Sequence, residues 1–126
     1  MSLSFDEDVE KEVANVTQKF IKTLMEEGVY FDMKHYKDGS AIIYTPLFDL
    51  GYYVIEHLLE SMKARYLGKD YYKEKSNYEC RIADAEETYK IGNVLVHVYY
   101  HVDTCERKHD GHFVTSIVIE PESQDD

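Results

Sequence analysis

The chain of 126 residues carries 25 acidic and 14 basic residues, which gives a formal net charge of −11. Hydrophobic residues make up 44% of it, a globular composition that excludes a wholly disordered chain. The length predicts a single domain over residues 1–120, followed by an acidic disordered tail at 121–126. We expect no nucleic-acid partner, because binding phosphates needs clustered Lys and Arg.

The sequence also predicts a soluble, cytoplasmic protein. No run approaches the roughly 18 apolar residues of a membrane span, and the start at Met1 and Ser2 does not resemble a basic and then apolar leader. Two cysteines, Cys80 and Cys105, do not make a disulfide scaffold. We therefore expect both to be reduced thiols, with Cys80 buried as a small apolar side chain.

Hydrophobic spacing predicts a first helix from Ser4 to Gly28, where glycine suits a left-handed cap. A hairpin follows, with strands at 29–37 and 40–45 joined by a two-residue turn at Asp38-Gly39. This register pairs His35 with Ile42. It assigns one apolar set of side chains to the inward face: Phe31, Met33, His35, Ile42 and Tyr44.

A second helix is predicted to begin at Thr45-Pro46, with Thr45 as the N-cap, and to end at Gly68. A break near Gly51, with a short turn before the main helix, is an equally good interpretation. Residues 69–76 are polar and tyrosine-rich, which favours a loop or the entry to a strand.

Three strands are predicted in the second half of the chain. The first covers residues 77–84, and the acidic residues 84–87 form a turn or bulge after it. Residues 88–104 contain the strongest strand, with inward Val94, Val96, Val98, Tyr100 and Val102. The last runs from Phe113 to Glu120 after a tight turn at Asp110-Gly111, which pairs His109 with His112 and Val102 with Ile119. Its apolar face comprises Phe113, Thr115, Ile117 and Ile119.

The predicted order is α-β-β-α-β-β-β, an α+β fold with an antiparallel sheet of about five strands on two helices. This order resembles the NTF2-like superfamily, also described as a cystatin-like cone. The resemblance rests on the first helix, the hairpin at 37–40, the helix from Leu47 and the closing strand pair. It implies a curved sheet wrapped around a long helix, a pocket at the wide end of the cone, and an outer sheet face that packs against a second subunit. Members include enzymes, binding modules and dimeric carriers, so the fold does not fix the function.

Two histidines, His35 and His57, are candidates for a pocket, where an imidazole acts as a general acid or base. The alternative is a histidine at the edge of the core, bonded to a backbone carbonyl. With Tyr44 and Tyr100 they form the set of pocket candidates. No carboxylate is spaced to orient either ring, and no nucleophile triad or carboxylate pair emerges, so no catalytic residue is assigned.

No metal or other cofactor is expected. His97 and His101 lie about 13 Å apart along one strand, too far to share an ion. His109 and His112 approach each other only across an exposed turn, and two ligands make a weak site.

The face opposite the valines carries Leu95, His97, Tyr99 and His101, and we predict that it forms a twofold dimer interface. On this hypothesis acidification weakens the dimer by charging two facing sets of histidines. Alternatively, residues 66–78 of the same chain cover this face. The chain holds twelve tyrosines, a type suited to interfaces and half-polar pockets. Five basic residues between Lys63 and Lys75, mixed with tyrosines, indicate either an anion site or a solvated helix end.

The leading functional prediction is a small acidic binding module, dimeric, with a small-molecule pocket between helices and sheet and without catalysis. One alternative is an acid/base enzyme, isomerase- or dehydratase-like as the resemblance implies, that uses a pocket histidine. The other is an acidic protein that neutralises a toxin or mimics nucleic acid by capturing a basic protein.

Overall fold

The computed structural model describes residues 2–37, 39–48, 51–75, 79–105 and 111–122. Within these ranges it contains two helices and one six-stranded antiparallel sheet, in the order β1-β2-β6-β5-β4-β3. The elements are α1 (Ser2–Glu26), β1 (Asp32–His35), β2 (Ala41–Phe48), α2 (Gly51–Ser61), β3 (Arg65–Tyr72), β4 (Ile82–Ile91), β5 (Val94–Asp103) and β6 (His112–Pro121). The α+β class is confirmed, but the sheet has six strands rather than about five. No helix in the described ranges is both long and apolar enough to cross a membrane.

Helix α1 confirms the first predicted helix, and its apolar stripe is buried at Val13, Phe20 and Leu24. It ends in a Schellman motif, in which Val29 N–H donates to Leu24 O at 2.9 Å and Gly28 N–H donates to Met25 O at 3.1 Å. Gly28 has a φ of +70°, the left-handed conformation expected of it.

Three residues separate Tyr36 from its partner Ser40, so the predicted two-residue turn at Asp38-Gly39 is wrong; Asp38 itself lies outside the described residues. Tyr36 N–H donates to Ser40 O at 2.9 Å, and Gly39 N–H donates to Tyr36 O at 3.1 Å. The extra loop residue shifts the register, so that His35 pairs with Ala41.

A one-residue shift exchanges the two faces of a strand. Ala41 and Ile43 are therefore buried. Tyr44 and Ile42, both predicted to point inward, lie on the other face, where Tyr44 is exposed and Ile42 is partly buried. Met33 and Phe31 do pack against the core, as predicted.

Helix α2 begins at Gly51, as the alternative with a break near that residue predicted, and not at Thr45-Pro46. Residues 45–48 continue β2 rather than form a short turn. The helix ends at Ser61 in a second Schellman motif, with Ala64 N–H donating to Leu59 O at 3.0 Å. Lys63 takes the left-handed position, with a φ of 56°. The predicted continuation to Gly68 is therefore wrong, and β3 occupies an edge of the sheet where a helix end and a loop were expected.

The segment 84–87, which contains three acidic residues, lies in the middle of β4 rather than in a turn or bulge. It pairs with β5 along its whole length. The hairpin between β4 and β5 turns instead at Gly92, which has a φ of +59°. The predicted strand at 77–84 is wrong in its start, since β4 begins at Ile82. Residues 76–78 lie outside the described ranges.

Strand β5 confirms the predicted alternation of faces. Its inward side chains are all buried and belong to one core cluster with Phe20 of α1 and Ile55 of α2. The outward residues of β5 are partly exposed.

The predicted pairing of β5 with β6 is wrong, since Val102 lies opposite His112 and Val96 lies opposite Ile119. The connection is longer than a tight turn, and Asp103 N–H donates to Gly111 O at 2.8 Å. A bulge at Thr115 changes the parity of β6, so Val114 is buried with Ile117 and Ile119 while Phe113 is not. His109 and Asp110 lie outside the described residues.

A disulfide joins Cys80 to Cys105, with their Cα atoms 5.0 Å apart. The expectation of two reduced thiols is therefore wrong. The bond closes the open end of the β4–β5 hairpin, where Thr104 N–H also donates to Arg81 O at 2.9 Å. At the other end of the sheet, Glu122 N–H donates to Asn93 O at 2.8 Å, so the first two residues of the predicted tail belong to the fold.

Replacing Cys80 and Cys105 with serine is expected to lower the free energy of unfolding by about 3 kcal/mol, because the bond closes a loop of 25 residues in the unfolded chain. Urea unfolding of the wild type and the double variant measures the difference. If both thiols of the unreduced native protein react with an alkylating reagent, the disulfide is contradicted.

Candidate functional site

A carboxylate lies on the core-facing side of the sheet, beneath α2. Glu87 of β4 follows the buried Ala83 and Ala85 at intervals of two residues, so its side chain points to the same inward face. The residue is only 5% exposed. Lys69 lies directly opposite on β3, and its Nζ is 3.2 Å from Glu87 Oε1. A buried carboxylate costs several kcal/mol unless it is paired, so this ion pair is the first requirement of the site.

Two tyrosine hydroxyls complete the surroundings of the carboxylate. Tyr52 of α2 donates to Glu87 Oε1 at 3.3 Å, and Tyr89 of β4 donates to Oε2 at 3.1 Å. Burial, and after it the negative charge of Glu87, raises the pKa of Tyr52 and of Tyr89 well above the ordinary value of 10.0. Both phenols therefore remain hydrogen-bond donors at neutral pH.

Tyr100 of β5 lies beside this group and is 1% exposed. Its hydroxyl is buried and has no well-formed hydrogen bond within the described part of the chain. Burial, followed by the nearby charge of Glu87, raises the pKa of Tyr100 above its usual value. Its ring packs 5.1 Å from that of Tyr52, and the Tyr52 ring stacks on His112 at 4.8 Å between centroids.

The ammonium group of Lys69 lies among aromatic rings as well as on the carboxylate. Its Nζ is 5.5 Å from the centroid of Tyr71 and 5.7 Å from that of Tyr100, within the range of cation–π attraction. It also donates to the Tyr71 hydroxyl at 3.5 Å. Burial acts to lower the pKa of Lys69, but the charge and the hydrogen bond of Glu87, together with the smaller effects of Tyr71, outweigh it, and the pKa is raised.

We call this group the Glu87 cluster. Its members are Glu87, Lys69, Tyr52, Tyr71, Tyr89 and Tyr100. A narrow seam formed by the apolar side chains of Ile55, Leu59 and Val98 adjoins Glu87, Tyr52 and Tyr89, and it has no room for a water molecule. The arrangement gathers one carboxylate, one ammonium group and several neutral hydroxyls around the Glu87 side chain.

The structure does not bring the predicted pocket residues together. Tyr100 is part of the Glu87 cluster, but Tyr44 lies on the opposite face of the sheet and His35 is exposed on the edge strand β1. His57 is exposed on α2, in an open groove of about 480 Å³ that Thr23 of α1 and Glu27, just after α1, also line. Among the described residues, no hydrogen bond or ion pair joins His35 or His57 to a carboxylate.

The outward side of the sheet, which we call the outer face, carries the predicted interface residues Leu95, His97, Tyr99 and His101. His97 lies between two carboxylates, with Nδ1 3.0 Å from Glu86 and Nε2 3.2 Å from Glu120. His101 Nδ1 is 3.0 Å from Asp84. Within the described residues, no group of three or more His, Cys, Asp and Glu side chains is placed to hold a metal ion.

The sequence did contain a signal for the residues that the predictions missed. Apolar side chains recur at the odd positions Ala83, Ala85, Tyr89 and Ile91, so an uninterrupted strand places Glu87 on their inward side. Because a turn or bulge was predicted at residues 84–87, the inward position of Glu87 was not predicted. Lys69 had no comparable signal, because the polar sequence around it is typical of a loop.

The fold and the site define an α+β domain with a buried carboxylate–ammonium pair between its second helix and its sheet. Comparisons with protein-family models, with the curated proteins and with the solved structures find no match.

Lys69→Met should lower the free energy of unfolding by about 2 kcal/mol, since it leaves Glu87 buried without its counter-ion while the lysine itself is 25% exposed. A buried charge without a counter-ion costs less once acid neutralises it, so the destabilisation should be smaller at pH 5 than at pH 8. Urea unfolding at the two pH values measures this. Lys90→Met, which removes a more exposed ion pair to Glu122, is the control and should cost under about 1 kcal/mol at either pH. Equal, pH-independent losses for the two variants would contradict the assignment.

Alkaline titration tests the buried phenols. The pKa of Tyr99 is raised to about 12 by burial and then Glu86, and those of Tyr52, Tyr89 and Tyr100 are also raised. At about pH 11 these four should stay protonated in the folded chain, and stability should fall as the pH rises above about 10, where the unfolded chain ionises. Phenolate absorbance, recorded beside circular dichroism, measures both effects. Ionisation of all twelve tyrosines near pH 10 in a chain that is still folded would contradict this prediction.

Proposed function

We propose that the chain is a binding module that holds a small ligand at the Glu87 cluster, between α2 and the sheet. The observation that carries the proposal is a buried, core-facing Glu87 that pairs with Lys69 and lies beside a buried Tyr100 hydroxyl, which makes no well-formed hydrogen bond among the described residues. Replacing a buried ion pair with apolar side chains is often neutral or stabilising, so folding alone does not require one here. Convergent polar groups against an apolar wall are typical of ligand sites.

The acid/base alternative has less support. It relies on a pocket histidine, and both His35 and His57 are exposed and lack a carboxylate partner among the described residues. Glu87 is a poor general base in this arrangement, because Lys69, Tyr52 and Tyr89 already donate to its two oxygens. Binding is therefore the better interpretation of the cluster.

We also propose that the domain is NTF2-like, as its sequence suggests. The long antiparallel hairpins of β3 to β6 and the helices on one side of the sheet support this. Bulges near Leu67 and at Thr115 favour the curvature that such a cone needs.

A homodimer through the outer face remains a second proposal. Tyr44 and Tyr99 flank Ser116 in one row across this face, and Tyr44 is 40% exposed. The pH effect that we expect is now reversed. Each histidine lies beside a carboxylate of its own chain, so protonation at lower pH reduces the negative charge that two copies bring together.

A basic protein partner stays a prediction. Cytoplasmic residence was predicted from the lack of a membrane span and of a leader-like start, with reduced thiols as a consistent feature. The Cys80–Cys105 disulfide favours an oxidising compartment instead.

The binding proposal predicts that at least one of four small probes, phenol, butanone, butyrate and n-butylammonium, binds saturably at the cluster. Amide NMR signals of Tyr52, Lys69, Glu87 and Tyr100 should shift at about 10 mM probe, where a millimolar Kd is visible. Glu87→Gln should weaken the effect at least about fivefold, since a hydrogen bond to a charged group contributes about 1.5–3 kcal/mol. Tyr30→Phe, at an exposed loop residue, is the matched control. If none of the four probes shifts these signals, the proposal fails.

The dimer proposal predicts that Tyr99→Asp shifts the chain from dimer to monomer, because it adds a charge at the centre of the outer face. Sedimentation velocity of the variant, of wild type and of a Tyr30→Asp control measures this. The wild-type dimer should be tighter at pH 6 than at pH 8. An unchanged monomer–dimer balance in Tyr99→Asp would remove the proposal.

A further inference from the structure

We propose that the Glu87 cluster is a binding site for an aliphatic primary ammonium group, whose place is taken by the chain's own Lys69. The inference rests on the proposed binding function and names the chemical class of the ligand. Three properties of the cluster carry it: the walls around the ammonium group, the hydrogen-bond acceptors it offers, and the exposure of Lys69.

The groups around the Lys69 ammonium are typical of a cation-binding site. The Lys69 Nζ lies over two tyrosine rings, at 5.5 Å from Tyr71 and 5.7 Å from Tyr100, and 3.2 Å from the Glu87 carboxylate. Aromatic faces attract a cation most strongly where water is excluded, and the Glu87 side chain is only 6% exposed. Tyr52 and Tyr89 hold the carboxylate in place from the other side.

The cluster offers more acceptors than Lys69 uses. An ammonium group has three N–H donors. Lys69 directs one to Glu87 Oε1 and a second, long at 3.5 Å, to the Tyr71 hydroxyl. The buried Tyr100 hydroxyl makes no well-formed hydrogen bond among the described residues, and its oxygen can accept one. An ammonium group on a free chain, not tethered to the backbone of β3, can position itself to reach all three acceptors.

Lys69 is placed so that it can leave. It belongs to the edge strand β3, and its side chain is 25% exposed although its ammonium group lies in the cluster. Its flexible stem can carry the charge into water, where an ammonium group is well solvated. Glu87 cannot follow, so the departure of Lys69 leaves a buried carboxylate that requires another cation.

These features also select among cations. The alkyl chain of an amine can follow the path of the Lys69 stem, which leads from the cluster to the exposed edge of the sheet. A quaternary ammonium ion has no N–H to donate to Glu87 or to the hydroxyls, so it should bind more weakly. An anion should not bind, because the negative charge of Glu87 repels it. A primary ammonium occurs both in free amines and in the lysine side chains of other proteins.

The test is chemical rescue of Lys69→Ala with n-butylammonium, which reproduces the missing side chain. At about ten times its Kd, the amine should raise the Tm of this variant by about 5 °C. n-Butanol should have no such effect, and neither should the amine on the double variant K69A/E87Q. Wild type should need at least tenfold more amine, because Lys69 competes for the site. Lys90→Ala is the matched control and should behave as wild type.

The proposal is overturned if n-butylammonium does not raise the Tm of Lys69→Ala, if n-butanol acts equally, or if K69A/E87Q responds as K69A does. Should Lys69→Ala not fold alone, refolding with and without the amine replaces the Tm, and failure to fold with it is equally decisive. A tripeptide with a central lysine distinguishes the source: a rise in Tm assigns the site to protein lysines, and rescue by the free amine alone assigns it to small amines. Binding of phenol, butanone or butyrate at the cluster without rescue would overturn the ammonium inference and leave the binding proposal standing.

Discussion

The packing of one face of β5 against α1 and α2 fixes the orientation of the whole sheet. Val96, Val98 and Tyr100 point toward the helices and are buried. In an antiparallel ladder, directly opposed residues share a face, so this choice passes from strand to strand. Val98 lies opposite Glu87, and Glu87 lies opposite Lys69. The same packing that buries the valines therefore carries a carboxylate and an ammonium group to the inner side of the sheet.

The two sides of the sheet use ionisable groups in different ways. On the outer face, the carboxylates of Asp84, Glu86 and Glu120 are partly solvated and surround histidines. Water and salt screen such pairs, so they contribute little to folding and much to the charge that a partner meets. On the inner face, Glu87 is buried, and each of its contacts is stronger because water is absent. The inner pair is therefore better suited to selective binding and the outer face to pH-dependent association.

Strong periodicity predicted the parts of the fold that depend on burial alone. The stripe of α1 and the alternation of β5 are both correct, because each buries a continuous apolar face. The geometry of the loops limited how well strand registers and helix ends could be predicted. One extra residue before Ser40 reversed the faces of β2, and Lys63 ended α2 in a conformation for which the sequence offers no glycine. The pairing of Cys80 with Cys105 depends on where β4 starts, which was also misplaced.

For the same reason the candidate site could be predicted only in part. Tyr100 was identified because β5 was correct, whereas Glu87 lay in a segment predicted as a turn or bulge and Lys69 in one predicted as a loop or the entry to a strand. Charged residues interrupt the apolar pattern where they serve a binding site, so periodicity is least informative at those positions.

The central claim is that the ammonium group of Lys69 lies on a buried Glu87 carboxylate between tyrosine rings. NMR spectroscopy of the chain labelled with ¹⁵N at its lysines observes that group directly. The account predicts one slowly exchanging NζH₃⁺ signal, with nuclear Overhauser contacts to the rings of Tyr71 and Tyr100, that disappears in Glu87→Gln. A Lys69 signal that exchanges as fast as that of the exposed Lys22, and is unchanged by Glu87→Gln, would contradict it.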